Sequence, residues 1–423
     1  MLRRIDARAG EPLPGPAPIA LDPAVLEGVR AILARVRDEG DAALVELTRT
    51  YDGADVAGRL AIGPDALAAA RDAVAPGLRT TIEATAERLR DLHARQLPRP
   101  WEAERDGVVY GETVRPVRAA GCYVPGGRAS YPSTVLMTAV PARVAGVERV
   151  AVATPPRADG SIPPEALYAA HVAGVDAVHP VGGAQAIGAL AFGTASVPRV
   201  DVIVGPGNVW VTAAKREVQG LVGIDGLAGP SELAVVADKT ADPAHVAVDL
   251  LAQAEHDPLA RAVLITTDPD LPDRVEPHLA REVAASPRRE IVEPAIELAA
   301  AVVVADEGAA AEAVDRLAPE HLQVLTADPR AFLVRVRSYG AAFLGPRTPV
   351  SFGDYGVGSN HVLPTMGTAR FASGLRAAVF VTVSSYTIAS PEAARRLGPG
   401  IEALARAEGL DGHARASEIR REA

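Results

Sequence analysis

The spacing of apolar positions changes twice along the chain, and each change predicts a different kind of element. Residues 7–20 carry several Pro and Gly without periodicity and read as an irregular arm. Apolar residues then recur at helical spacing over 22 to about 39 and 64 to about 96, so the first hundred residues are expected to be mainly helical. From Val108 onward short Val-rich runs alternate with Gly/Pro turns and Ala-rich stretches. The runs 150–153, 177–181 and 200–204 are each followed by a turn and a segment able to form a helix, which is the β-α-β rhythm of a parallel sheet. A second series at 233–236, 262–266, 300–304, 322–325 and 341–344 repeats it, so two open α/β domains are expected. Residues 345–369 lack periodicity and are rich in Gly, Pro, Ser and Thr, and long irregular loops of that kind are often functional. The stretch from about 391 reads as helical and is too short to own a core, so it must dock elsewhere, on this chain or a second copy.

Composition agrees with a large aliphatic-cored enzyme. At 423 residues the chain suits two or three compact domains, and aromatics are only 4% of it. Lys plus Arg number 43 against 53 Asp plus Glu, a net charge of −10 without a long basic run, so the electrostatic footprint of a nucleic-acid binder is missing and a small-molecule substrate is expected. Cys122 is the single cysteine, which excludes an internal disulfide and a cysteine-rich metal site. Neither a signal-type apolar stretch nor a run long enough to cross a bilayer stands out, and a cytoplasmic location is expected.

Three glycine turns are candidates for holding a nucleotide. The run 200–204 leads into Gly205-Pro206-Gly207-Asn208 and a helical stretch, where glycines permit close backbone approach and the helix start favours a phosphate. This is not the G-x-G-x-x-G fingerprint, and a plain strand-to-helix turn explains it equally well. Val181-Gly182-Gly183-Ala184-Gln185 places an amide in a first helical turn, and the turn from Gly121 through Tyr123 to Gly127 adds an aromatic.

Candidate chemistry lies mostly in the second half. Asp242-Pro243 is a good helix start, and the apolar period continues to His256 before Pro258 stops it, so Gln253 and His256 stand three apart on the last turn. Such a pair can share a metal or be a solvated helix end. In Pro319-Glu320-His321-Leu322 an imidazole can take an alcohol proton and a carboxylate can activate water. Consecutive strand residues face opposite ways, however, so the two reach one site only if the backbone turns there. Asp354 and His361 stand in the long glycine loop, and Glu408 and His413 flank a turn in the tail.

Taken in order, GCYVPGGRASYPSTVLM, VGGAQAIGALAFGT, VDVIVGPGNVWVTAAKREV, AGPSELAVVAD, LLAQAEHDP, APEHL, GDYGVGSNHVLPT and the final Glu408 to His413 resemble the successive motifs of the histidinol dehydrogenases. The resemblance spans nearly the whole chain. It implies two Rossmann-like, aldehyde-dehydrogenase-like α/β domains with a helical N-terminal arm and a helical C-terminal tail. The segments would be an arm at 1–20, a larger domain from 21–121 and 232–372, an NAD-binding domain at 122–231 and a tail at 373–423. It further implies oxidation of L-histidinol through the aldehyde to L-histidine, the last step of histidine biosynthesis, with two NAD per turnover and one zinc per site. By motif, Gln253, His256, Asp354 and His413 would be zinc ligands, an N/O set in keeping with the lack of an available thiolate. His321 would be the base and Glu320 would activate water. Ser231, His361 and Glu408 would contact substrate, as would the zinc ligands and His321. Tyr123, Gln185 and Asn208 would contact NAD. The family's homodimers exchange their tails, which implies that Glu408 and His413 act in trans.

Two stretches depart from the family pattern. Residues 376–380 lack an acidic residue and 381–389 lack a basic one, which bears on how the tail packs. The main enzymatic rival is oxidation of another small amino or sulfonated alcohol on the same scaffold, and the tail pair Glu408 and His413 favours the imidazole substrate. A non-catalytic metal- or nucleotide-binding protein would not need the Glu320-His321 couple.

Overall fold

Strand β1 (Arg3–Asp6) opens the chain. Asp22 then caps helix Pro23–Glu39 through its side chain, with Pro23 at the first helical position where an N–H is not needed. The computed structural model describes residues 2–16, 21–126 and 130–421. Positions 17–20 of the expected arm, Gly127 of the third glycine turn and the last two residues lie outside that set. Helix Asp41–Asp52 follows. The helical period over 64–96 is divided into Pro64–Ala69 and Pro76–Ala94, because Pro76 has no N–H with which to continue the first helix.

Strands β2 (Trp101–Arg105) and β3 (Val108–Pro116) precede five strands of one parallel sheet. These are β4 (Ala119–Tyr123), β5 (Arg149–Ala153), β6 (Ala177–His179), β7 (Val202–Val204) and β8 (Gly223–Ile224), in the order β6-β5-β4-β7-β8. A second parallel sheet takes β9 (Glu232–Ala237), β10 (Arg261–Thr266), β11 (Ala300–Val303), β12 (His321–Leu325) and β13 (Ala341–Leu344), and β1 joins its edge to give β1-β11-β10-β9-β12-β13. Both sheets reverse strand order in the manner of doubly wound folds, at β4/β7 and at β9/β12. Apolar clusters lie on both faces of each sheet. That explains why the strands read as continuous apolar runs and not as alternations.

Three expectations need correction. The irregular run expected at 7–20 is preceded by a strand, since β1 pairs in register with β11 and ties the arm at 1–20 to the larger sheet. The helices between 21 and 121 do not join the larger domain. Val29, Ile32, Leu33 and Val36 pack on one face of the smaller sheet and Ile82, Ala86 and Leu89 on the other, because their apolar stripes meet helices Gly183–Phe192 and Pro132–Val144. The tail is not wholly helical either. It begins with strand β14 (Val381–Ala389), which runs antiparallel to β3 along its whole length in the sheet β14-β3-β2. Phe380 is fully buried in the smaller domain's core, so the departures at 376–389 do not loosen this segment. No helix among the described residues is long and apolar enough to cross a membrane.

One buried carboxyl lends itself to a stability test. Asp52 closes helix Asp41–Asp52 with one oxygen buried and unpartnered, and burial pushes its carboxyl up to about 6. A carboxyl raised on folding resists ionisation, so stability falls as pH rises from the unfolded value near 3.8 through about 6 and is fully reduced above that. Asp52→Asn is therefore expected to stabilise the protein above pH 6 by on the order of 1–2 kcal/mol, discounted for partial exposure, and to do little near pH 4. Thermal denaturation at the two pH values reads the difference, and an equal effect at both would contradict it.

Candidate active site

The larger sheet places its polar residues at the amino ends of the central strands. Helix Pro243–Ala254 follows β9 and runs back across the sheet, so its last turn returns to the end where β9 and β12 begin. Val246, Leu250 and Gln253 share its buried face, and the amide of Gln253 has both polar atoms buried without a partner. The helix stops at Ala254, two residues before the expected end. His256 stands beyond it, exposed, with its backbone N–H donating to the Gln253 carbonyl at 3.3 Å.

Glu320 and His321 do reach one site, and a turn allows it. Ala318 sits in the left-handed region at φ 45°, an uncommon and strained place for a non-glycine residue, and Pro319 follows. Glu320 precedes β12 and His321 is its first residue, so the carboxylate comes within 3.6 Å of the imidazole Nδ1. The Glu320 carboxylate accepts the Glu232 backbone N–H at 3.0 Å. Burial drives its pKa well above the carboxylate range, against the opposing pull of that N–H and of the Ser231 hydroxyl. His321 Nδ1 lies 3.2 Å from the Glu232 carbonyl, which requires the proton on Nδ1. Its Nε2 is then a lone-pair nitrogen, buried without a hydrogen-bond partner and 4.0 Å from an Asp354 oxygen. Burial holds the ring's pKa down to about 4, and nearby Asp354 only partly offsets that.

The long loop brings Asp354 and His361 to the same place. Gly353 passes so close to Phe343 on β13 that a Cβ would lie 2.5 Å from the ring, so any side chain there would displace the ring and with it the loop that carries Asp354. His361 Nδ1 donates to the Asp354 carbonyl at 3.1 Å and its Nε2 lies 3.1 Å from the Thr134 hydroxyl of the smaller domain. A charged His256 would oppose protonation of both His321 and His361, so the three imidazoles share one electrostatic neighbourhood.

Several positioning residues escaped the sequence reading. Glu232 offers its N–H to Glu320 and its carbonyl to His321, while its carboxylate accepts the Met366 N–H at 3.0 Å. The signal was present as an acidic residue at the head of an otherwise apolar strand. Asn360 donates to the Met137 carbonyl at 2.7 Å and lies 3.2 Å from His93 Nε2, tying the loop to two helices of the smaller domain.

The three glycine turns converge at the carboxyl ends of the smaller sheet. The Tyr123 hydroxyl at the end of β4 accepts the Gly183 N–H at 3.1 Å, and the Gln185 amide packs against Gly183. Gly205, at φ +118°, approaches so closely that a Cβ would lie 2.0 Å from the Tyr123 carbonyl oxygen. Asn208 caps helix Val209–Val218, accepting two backbone N–H groups, which turns the first N–H groups of that helix toward the same end of the sheet. A buried ion pair grips the turn. Lys215 pairs with Asp225 and donates to the Gly205 carbonyl at 3.1 Å, while Asp225 accepts the Gly205 N–H at 2.7 Å. Lys215→Met leaves that carboxylate buried without its cation and is expected to cost about 3–5 kcal/mol in a urea titration. An unchanged midpoint would show that the pair is not structural.

Not every expected residue joins the cluster. Glu408 and His413 are exposed on the tail. Among the described residues, no three His, Cys, Asp or Glu side chains gather as a metal-holding group. Helices Pro391–Ala407 and Asp411–Arg421 pack chiefly on each other, leaving Ile401, Leu404, Leu410 and Ile419 exposed.

Two doubly wound domains, one converging glycine turns on a central strand end and the other a buried carboxyl–imidazole couple, define an oxidoreductase. The chain belongs to the histidinol dehydrogenase family, whose model matches residues 19–421. It is 49% identical to a histidinol dehydrogenase of Moorella thermoacetica over 398 residues, covering 93% of this chain and 94% of that one. It is 47% identical to one from Synechococcus over 397 residues, 93% and 92% of the two chains. The crystal structure of histidinol dehydrogenase from Elizabethkingia anophelis superposes with a TM-score of 0.94 at 33% identity, over 100% of this chain and 98% of that one.

Proposed function

We propose that the chain oxidises L-histidinol through L-histidinal to L-histidine with two NAD and one zinc per site. The observation that carries this reading is the buried, unpartnered His321 Nε2, which stands 4.0 Å from an Asp354 oxygen. Nδ1 is committed to the Glu232 carbonyl, so Nε2 takes the proton of the substrate alcohol. Each oxidation removes a hydride and a proton. Between them the aldehyde adds water, and Glu320, held beside the imidazole, takes the proton from that water. The high proton affinity of this buried carboxyl makes it an effective base once ionised.

The donor chemistry fits zinc. Gln253 presents a buried amide oxygen with no other partner, and His256, Asp354 and His413 of the partner subunit would join it in an N/O set. When bound, zinc supplies Lewis-acid polarisation of the substrate oxygen. Ser231 and His361 line the same cluster and would orient the substrate, with Glu408 of the partner subunit. NAD would lie on the carboxyl ends of β4 and β7, against Tyr123, Gln185 and Asn208, and accept the hydride. A homodimer with exchanged tails accounts for the exposed apolar residues of both tail helices. The test is to count NADH per histidine formed from L-histidinol. Two NADH, with activity lost on chelation and regained with zinc, supports the proposal, and no turnover of histidinol overturns it.

A further inference from the structure

A cavity of about 220 Å³ opens beyond the converging turns, at the carboxyl ends of β4 and β5. Val124, Ser130, Tyr131, Thr154, Arg157 and Ala166 are among the residues that line it. It is smaller than the 300–1,000 Å³ or so typical of whole-ligand pockets, so it suits one end of a dinucleotide. Its polar character is one-sided. Arg157 is exposed and, among the described residues, makes no salt bridge, though its charge reaches Asp159; the Ser130 hydroxyl is buried without a partner, and none of the described lining residues is a carboxylate.

The position of Arg157 matters because of strand order. β4 is the first strand of this doubly wound sheet and β5 is its neighbour on the side away from β7. In such sheets the adenosine ribose lies over the end of the second strand. There an acidic residue binds the 2′-hydroxyl of NAD, and an arginine accommodates the 2′-phosphate of NADP. Here the end of the second strand reads Ala153-Thr154-Pro155-Pro156-Arg157, with no acid. Asp159, two residues on, accepts the Ser161 N–H at 2.9 Å within its own turn and is not in the cavity lining. That turn is closed by the Arg157 backbone, whose N–H donates to the Ser161 carbonyl and whose carbonyl accepts the Gly160 N–H, both at 2.8 Å. The guanidinium is thereby carried on a fixed backbone at the cavity's edge.

We infer that this cavity binds the adenosine ribose end of the cofactor and that Arg157 lets the chain accept 2′-phosphorylated dinucleotide alongside NAD. The inference rests on the dinucleotide reading above, and its test separates the two. Calorimetry with 2′,5′-ADP and 5′-AMP needs no turnover. Wild-type protein is expected to bind 2′,5′-ADP more tightly than 5′-AMP, and Arg157→Ala to lose roughly 10- to 100-fold in affinity for 2′,5′-ADP alone. In steady state with histidinol, Arg157→Glu is expected to lower the ratio of kcat/KM for NADP to kcat/KM for NAD by at least about 10-fold. If 2′,5′-ADP binds wild type and Arg157→Ala equally, the inference is overturned whatever the enzyme turns over. If histidinol is not oxidised with either cofactor while 2′,5′-ADP binding still depends on Arg157, the functional reading fails and the cavity assignment stands.

Discussion

Exchanging His321 for asparagine is expected to lower kcat for histidinol oxidation by about 10²–10⁴-fold, the usual worth of a positioned general base. Asparagine is the informative replacement. Its amide can still donate toward the Glu232 carbonyl, so the local ladder is disturbed as little as possible, but it offers no basic nitrogen where Nε2 stands. KM should change far less than kcat if the loss is of proton transfer and not of binding. Because His321 is buried at the head of β12, the thermal transition is measured beside the kinetics. A folded variant that keeps kcat within a few-fold of wild type would remove the imidazole from the mechanism.

Two inactive variants are expected to repair one another. His413→Ala removes the tail's proposed ligand and His321→Ala removes the base, so either homodimer is dead at both sites. In a hybrid dimer with exchanged tails, one site combines an intact body with an intact tail. Random reassortment then restores about a quarter of wild-type activity, since half the dimers are hybrids and each has one good site. The exposed positions of Glu408 and His413 on the tail motivate the experiment. Subunit exchange confirmed by mass, with no activity regained, would return the tail to its own subunit and leave the fourth ligand to be found elsewhere.

How much of this could be read in the sequence depended on whether the deciding force was local. Most strands of both parallel sheets were legible because apolar clusters cover both faces, leaving unbroken runs at regular spacing, whereas β1, β4 and β8 carried no such run. The helices near the start were legible too, but not their partners. An apolar stripe such as Val29, Ile32, Leu33 and Val36 says that a face is buried and is silent about which sheet buries it. β14 was hidden in a segment taken as helical, although its Val and Thr content suits a strand. In the site, Glu320 and His321 were visible as chemistry but their convergence was not. It depends on Ala318 holding a left-handed conformation that alanine does not advertise. Glu232 was missed for a related reason. Its backbone orients the couple, and a backbone role leaves little mark on residue type.

The placement of His321 as the first residue of β12, opposite Leu233 of β9 and Ala341 of β13, has a mechanical consequence. Its proton tautomer and its distance from Glu320 are set by backbone groups of Glu232 at the head of the adjacent strand. A slip of one residue between β9 and β12 would carry the imidazole to the other face of the sheet. Strand registration is thus the gauge to which the base and the carboxyl are cut. The site inherits the tolerance of a hydrogen-bonded ladder instead of that of a loop, and core substitutions that shift the ladder should be felt as lost activity before they are felt as lost fold.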